Sequence, residues 1–353
     1  MMLVKVFRRS GVVLALWACA ISGAMAGNDL SELNAEQAFE KGKLLRWQLH
    51  HQEALPYLRH AAEKGSAEAA YIYSIELEDG SEKQGEEEYH YALRAAEQGN
   101  LLAMLKVSSS SNPERDEIRQ EWEEKTQQAI LERAEAGNPE AMLLLHSTLE
   151  KEKDKMAWLE KAVAANHPEA KFKLAQAYEA GYDWFFIPGK RSKETKRLYQ
   201  ESAEQGYPPA MKAYMEQLLA KKKTREEGFE WMKKLAEIGR ADSLLLIANT
   251  YAEDRQMRDI VPQDRVKALS YLYAYFESMA TPKSHDSLHR AYQKKIAIHR
   301  SLLSEEEGLK ADAMAEDYLA NHTVRAYDDL WQWGVDYGER TTPEQPQKNE
   351  AGE

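Results

Sequence analysis

A short phrase recurs along this chain, and it restricts the fold more than any other feature. A small residue is followed three positions on by a turn residue, usually glycine, and four beyond that by another small residue. It reads Ala62-Glu63-Lys64-Gly65 with Ala69, Ala96-Glu97-Gln98-Gly99 with Ala103, and Ala134-Glu135-Ala136-Gly137 with Ala141. It returns as Ala203-Glu204-Gln205-Gly206 with Ala210 and Ala236-Glu237-Ile238-Gly239 with Ser243, and a degenerate copy is Val163-Ala164-Ala165-Asn166 with Ala170. The anchors at 65, 99, 137, 166, 206 and 239 are spaced by 34, 38, 29, 40 and 33 residues. Self-similarity at such a period marks stacked units, none of which can bury its apolar face alone.

Each part of the phrase has a physical reason. The glycine follows an amphipathic stretch such as Tyr57-Leu58-Arg59-His60-Ala61-Ala62. It stands where a helix ends in a left-handed residue, which glycine accepts without a Cβ clash. Asn166 is the next best residue for that conformation. The following helix starts at once, as in Gly137-Asn138-Pro139-Glu140 and Asn166-His167-Pro168-Glu169. Proline in a first helical turn lacks only a donor that was unpaired anyway. The small residue four beyond the anchor lets the second helix approach the first closely. The unit is helix, tight turn, helix, and the chain is expected to be all-α.

Composition supports this. Ala, Leu, Glu, Lys and Gln, the good helix formers, are abundant, and long Val/Ile/Thr runs are absent. A length of 353 residues would suggest two compact domains at roughly 150 residues each, but a repeat array grows in one dimension without a larger core. The formal charge of −12 excludes a general nucleic-acid binder, which needs cations to neutralise phosphates.

Residues 1–26 read as a secretory signal peptide. Lys5, Arg8 and Arg9 precede an apolar run from Gly11 to Ile21, too short to span a bilayer, and Ala24-Met25-Ala26 is a cleavage site. Cleavage there removes three cations and takes the charge from −12 to −15. The alternative is Leu16-Trp17-Ala18-Cys19, which resembles a lipoprotein box and would make Cys19 a lipid-bearing first residue. Cys19 is the only cysteine, so cleavage at Ala26 leaves no thiol and no disulfide. The leader looks bacterial and points to the periplasm of a Gram-negative cell.

The phrase, its variable period and its alanine spacing resemble the Sel-one-like repeat, a relative of the tetratricopeptide repeat. Leu174-Ala175-Gln176-Ala177-Tyr178-Glu179-Ala180-Gly181 carries the second half of that motif, and Val261-Pro262-Gln263-Asp264-Arg265-Val266-Lys267-Ala268-Leu269-Ser270-Tyr271 resembles the family's loop and first helix. The resemblance covers roughly residues 40 to 280. It implies a right-handed superhelical solenoid of antiparallel helix-turn-helix repeats with a concave inner face. The Tyr-x-x-Gly ending is blurred elsewhere, and Ser108-Ser109-Ser110-Ser111-Asn112-Pro113 reads as a loop, so irregular curvature is expected.

The expected organisation is a signal peptide over 1–26, an N-terminal capping helix over 27–52 ending in His50-His51, and repeats over 53–282. A C-terminal helical cap over 283–340 and a polar tail over 341–353, expected to be disordered, complete it. Ser304-Glu305-Glu306-Glu307 has the shape of a helix-start capping box. Trp331 and Trp333 lie near the end of the cap.

One insertion stands out. Gly181-Tyr182-Asp183-Trp184-Phe185-Phe186-Ile187-Pro188-Gly189 puts four aromatics between two helices, and Lys190, Arg191, Lys193, Lys196 and Arg197 follow. Tyr182, Trp184, Phe185, Phe186, Lys190, Arg191, Trp331 and Trp333 are the candidate partner-binding residues, aromatic anchors with a basic flank. The competing reading is that the rings fold back between neighbouring hairpins, since exposed apolar patches are a solubility liability.

No catalytic residue, metal site or cofactor is proposed. His285 and His289 have metal-ligand spacing, with His299 nearby, but solvated histidines explain them better. Runs such as Glu86-Glu87-Glu88 are expected to be solvated faces. There is no nucleophile elbow, phosphate-cradling loop or dinucleotide fingerprint. The tyrosines on repeat helices, such as Tyr73, Tyr199, Tyr214, Tyr251 and Tyr271, read mostly as packing residues.

The function expected is therefore protein binding without catalysis. The resemblance implies two kinds of secreted protein: periplasmic immunity proteins that neutralise type VI secretion phospholipase effectors, and envelope scaffolds in polysaccharide export or motility. The missing anchor and the charge, which would steer the chain to a basic partner, lean toward immunity. An envelope-acting enzyme is the remote alternative.

Overall fold

The computed structural model describes residues 30–77, 82–110, 112–182, 188–253, 257–280 and 286–326. Residues 1–26, read above as a signal peptide, and the polar tail over 341–353 lie outside them. The described chain is a succession of α-helices: α1 (Ala35–Trp47), α2 (His51–Glu63), α3 (Ala67–Glu76), α4 (Glu82–Glu97), α5 (Leu101–Ser108), α6 (Asp116–Glu135), α7 (Pro139–Thr148) and α8 (Glu152–Ala164). Then come α9 (Pro168–Glu179), α10 (Lys190–Glu204), α11 (Pro208–Leu219), α12 (Arg225–Glu237), α13 (Ala241–Glu253), α14 (Arg265–Ser278), α15 (Asp286–Ser301) and α16 (Glu305–Asn321). Each packs on the next as far as α15, and α16 returns to α14. Short turns between packed neighbours make the pairs antiparallel, so the architecture is a solenoid of stacked hairpins.

The recurring phrase builds the turns. Gly65, Gly99, Gly137, Gly206 and Gly239 have φ of 102°, 83°, 93°, 82° and 81°, and Asn166 has 64°. At each, the anchor N–H donates to the carbonyl three residues back and the next N–H to the carbonyl five back. At the first turn these are Gly65 N to Ala62 O at 2.9 Å and Ser66 N to Ala61 O at 3.0 Å. That pair satisfies carbonyls that the helix end would otherwise orphan. The alanine three before the anchor is enclosed, and so is the small residue four beyond it, as with Ala62 and Ala69 at 0% exposure. The latter is also N3 of the next helix: Ser66, Asn100 and Asn138 accept hydrogen bonds from the N–H of Ala69, Ala103 and Ala141. Arginines add a staple between repeats. Arg94 donates to Glu63 O at 3.1 Å and Arg133 to Gly99 O at 3.0 Å.

The N-terminal region differs from a single capping helix. Leu49, with φ of 64°, makes the same turn without a glycine, so α1 stops at Trp47 and His51 opens α2. The expected boundary after residue 52 therefore falls inside a helix, and α1 with α2 form a complete hairpin. Its sequence hides this because leucine occupies the left-handed position.

The C-terminal region does more than cover the last repeat. Beyond α16 the extended residues 323–326 run beside the turn between α12 and α13. Arg325 N donates to Gly239 O at 2.9 Å, and Ala241 N donates to Arg325 O at 2.9 Å. The Arg325 guanidinium takes the staple role toward Ile238 O at 3.2 Å. The same segment reaches the first hairpin: Ala326 N donates to Trp47 O at 2.7 Å, and Ala280 N donates to Gln48 O at 2.8 Å. Leu49 packs into an apolar cluster with Ala241, Met279 and Val324. The two ends of the solenoid thus meet, and each covers apolar surface that a terminal repeat would otherwise expose.

Ala326→Pro tests this joint. Proline lacks the N–H that Trp47 O accepts. The expected cost is about 1–2 kcal/mol, read as faster native-state hydrogen exchange across α1 and α2 with the central repeats unchanged. Uniform acceleration along the chain would mean that the joint supports the whole fold instead.

Candidate functional site

The most basic stretch of this acidic chain is central. Residues 188–225 contain ten Lys/Arg and four Asp/Glu. They form α10, α11 and the 3-10 turn Lys222–Thr224. Where the end of α9, the start of α10 and the end of α11 come together, they enclose an open cleft of about 390 Å³. Arg191, Lys196 and Lys221 line it, with Thr195, Glu179 and Gln217.

The start of α10 is built against its own dipole. Its first turn, Lys190-Arg191-Ser192-Lys193, has three cations and no acid. Gly189 stands at the N-cap with φ of 79° and offers no side-chain cap. Each cation at the positive end of a helix costs about 0.3–1 kcal/mol in place of the gain an anion would bring. The cleft lies beside that turn.

The one carboxylate of the cleft is already engaged. Glu179 accepts hydrogen bonds from the Tyr199 hydroxyl at 2.8 Å and from Gln217 Nε2 at 3.3 Å. Burial, then the bond to Glu179, pushes the Tyr199 phenol up, so it keeps its proton and stays a donor. Thr195 is the opposite case. It is 4% exposed, it lines the cleft, and its Oγ1 is buried with no hydrogen-bond partner among the described residues. Leaving a buried hydroxyl unsatisfied costs about 1–3 kcal/mol; Thr126 Oγ1 and Tyr89 Oη are in the same condition elsewhere, and Thr195 is the hydroxyl of this kind that lines the cleft. Lys196 Nζ lies 5.6 Å from the centre of the Tyr214 ring, and among the described residues no carboxylate pairs with it.

Of the candidate residues named from the sequence, Tyr182 is half-buried and stacks on Tyr178 at 6.3 Å between ring centres. Its hydroxyl donates to Glu160 at 3.4 Å. This contact is of the packing kind. Arg191 lines the cleft and donates to Gly181 O at 3.4 Å. Lys190 is exposed. Trp184, Phe185, Phe186, Trp331 and Trp333 lie outside the described residues. The sequence reading missed Thr195 and Lys221. The run Lys221-Lys222-Lys223 was the available signal for the second; nothing in the sequence marks the first.

Other clusters carry less. A second opening of about 230 Å³, between Phe229, Tyr251 and residues 260–267, has one cation, Lys267, already 3.5 Å from Asp264. Glu277 is pushed up by burial and by the neighbouring Glu316 and Asp312. Among the described residues, no group of three or more His, Cys, Asp or Glu could hold a metal ion. His299, expected in solvent, is 9% exposed, and His285 lies outside the described residues. No described helix is long and apolar enough to cross a membrane.

The tyrosines differ in part from simple packing. Tyr73, Tyr199 and Tyr214 are buried rings whose hydroxyls donate to Glu87 at 2.9 Å, Glu179 at 2.8 Å and Glu227 at 3.3 Å. Burial, with the Glu227 charge, pushes the Tyr214 phenol up to about 12.

No protein-family model matches the sequence, and no curated protein matches it. Solved structures similar in fold include the following two. One is a protective antigen present in uropathogenic Escherichia coli strains displaying an SLR fold, at 14% identity and a TM-score of 0.42, covering 88% of this chain. This chain spans 64% of that protein's length. The other is a Sel1 repeat protein from Oxalobacter formigenes, at 20% identity and a TM-score of 0.41, covering 81% of this chain and 82% of that one.

Proposed function

We propose that this chain is a non-catalytic repeat protein that works by binding another protein. The observation that carries this is the central cleft, where three cations and an unsatisfied hydroxyl converge on one opening. Glu179 there is committed to Tyr199 and Gln217, which suits recognition better than proton transfer. The aromatic stretch 183–187 joins Tyr182 to the start of the helix that supplies two of those cations.

The finer reading is a periplasmic immunity protein that binds and inhibits a type VI secretion lipase or phospholipase effector. The secretory leader over 1–26 and the acidic remainder of the chain support it: residues 27–135 hold 23 Asp/Glu against 12 Lys/Arg, a surface suited to a phosphate-gripping partner. The lipoprotein-like Leu16-Trp17-Ala18-Cys19 favours a second reading, an envelope scaffold anchored by lipid.

The test is capture of partners from the native periplasm on the tagged mature chain, identified by mass spectrometry. A stoichiometric secreted lipase is expected. A set of envelope-assembly proteins would replace immunity with the scaffold, and capture of no protein would overturn the binding function itself.

A further inference from the structure

We infer that the cleft between α9, α10 and α11 is a carboxylate-binding site that receives an acidic segment of the protein partner. The inference rests on the protein-binding function proposed above and adds the chemistry of what is bound.

Three independent features agree. The first is charge: Arg191 and Lys196 of α10 and Lys221, just beyond the end of α11, come to one opening, against a single carboxylate, Glu179. Glu179 accepts from Tyr199 and Gln217 and forms no ion pair with either lysine among the described residues, so its one charge leaves the opening net cationic. The second is the start of α10, whose first turn lacks both a side-chain cap and an acid. An anion placed there meets backbone N–H groups and the positive end of the dipole. The third is Thr195, whose enclosed Oγ1 has no partner. A hydroxyl can donate to a carboxylate while lysines and arginine supply charge-assisted bonds around it. The volume, about 390 Å³, holds one or two acidic side chains and is small for a folded domain. The second opening near Asp264 makes the contrast: its lysine is already paired, and no orphaned hydroxyl lines it.

The probe is a short fluorescein-labelled oligoglutamate peptide, titrated by anisotropy against the mature chain. Saturable binding is expected. The double variant Lys196→Glu, Lys221→Glu should weaken it about a hundredfold, since reversing charges in a partly enclosed site costs far more than on a rim. The control Lys222→Glu, Lys223→Glu changes two exposed lysines that do not line the cleft, and should weaken it less than about threefold. Thr195→Val is the sharpest arm. It should lower affinity about tenfold while raising the melting temperature, because it removes a buried hydroxyl that the free protein leaves unsatisfied. Equal losses in the two lysine pairs would mean general attraction and overturn the site. So would a Thr195→Val variant that binds normally. Displacement of the peptide by equimolar inorganic phosphate would show a small-oxyanion site and overturn the peptide assignment. The same Lys196→Glu, Lys221→Glu chain is then used to capture partners. Undiminished capture would overturn the cleft and leave protein binding standing, whereas no capture by the unaltered chain would overturn protein binding.

Discussion

Gly239→Ala is expected to cost about 3 kcal/mol of stability, read as a lowered urea midpoint, where Gly65→Ala costs about 1 kcal/mol. Both residues have positive φ, 81° and 102°. Their surroundings separate them. A Cβ on Gly65 meets nothing within 4 Å, whereas a Cβ on Gly239 would stand 1.9 Å from Thr323 O. The obstacle is backbone, so no side-chain rotation relieves it. Thr323 is held by the segment that exchanges hydrogen bonds with Gly239 and Ala241, and by α16, whose Tyr318 hydroxyl donates to Ala236 O. Relief would pull that segment off the turn and, through Ala326, loosen its hold on Trp47. Gly239→Ala should therefore also expose α1 and α2 to hydrogen exchange, although they lie far away in sequence. Gly206→Asn is the calibrating change: nothing lies within 4 Å of a Cβ there, and Asn166 already fills the equivalent position, so a loss of under about 1 kcal/mol is expected. Equal losses at Gly65 and Gly239 would mean that φ alone sets the cost and that the C-terminal segment yields.

The repeats were legible in the sequence because every requirement of the turn is local. The anchor, the alanine three before it and the small residue four after it all lie within eight positions, so a single phrase carries them. The first hairpin was not legible, since Leu49 takes the left-handed position without the residue that advertises it. The joint between the ends was hidden for another reason. Its hydrogen bonds are made by main-chain groups of Trp47, Gln48, Ala280 and Ala326, which leave no side-chain signature, and its side-chain contacts, such as Leu49 with Val324, join residues far apart in sequence. The cleft stands between these cases. Its cations were visible as a basic cluster, but bringing Lys221 beside Arg191 and isolating Thr195 depend on how two successive hairpins stack.

Glu76→Ala should be the most damaging substitution of a charged residue, at about 3–5 kcal/mol. Glu76 ends α3 with its side chain 8% exposed, and Arg46, on α1, pairs with it at 11% exposure. His51, at the start of α2, places Nδ1 2.7 Å from the second carboxylate oxygen. An ionised carboxylate only accepts, so that nitrogen donates. Three helices thus share one carboxylate, and its removal takes from the enclosed guanidinium the buried charge it pairs with. Burial alone would raise the Glu76 acid, but the His51 hydrogen bond and the Arg46 charge outweigh it and hold it below its ordinary value of 4.5. A depressed carboxylate contributes stability that is complete above the unfolded-state value and is lost as pH falls through the folded one. The first hairpin should therefore loosen in acid below about pH 4.5, and Glu76→Gln should remove that dependence while destabilising the protein at neutral pH. The paired change Arg46→Met, Glu76→Leu replaces two charges with apolar groups of similar size, and should recover much of what Glu76→Ala loses. If the double variant is no more stable than Glu76→Ala, the cost belongs to lost packing among α1, α2 and α3, not to a stranded charge. Hydrogen exchange in α1 at neutral pH, compared across the three variants, separates those two causes.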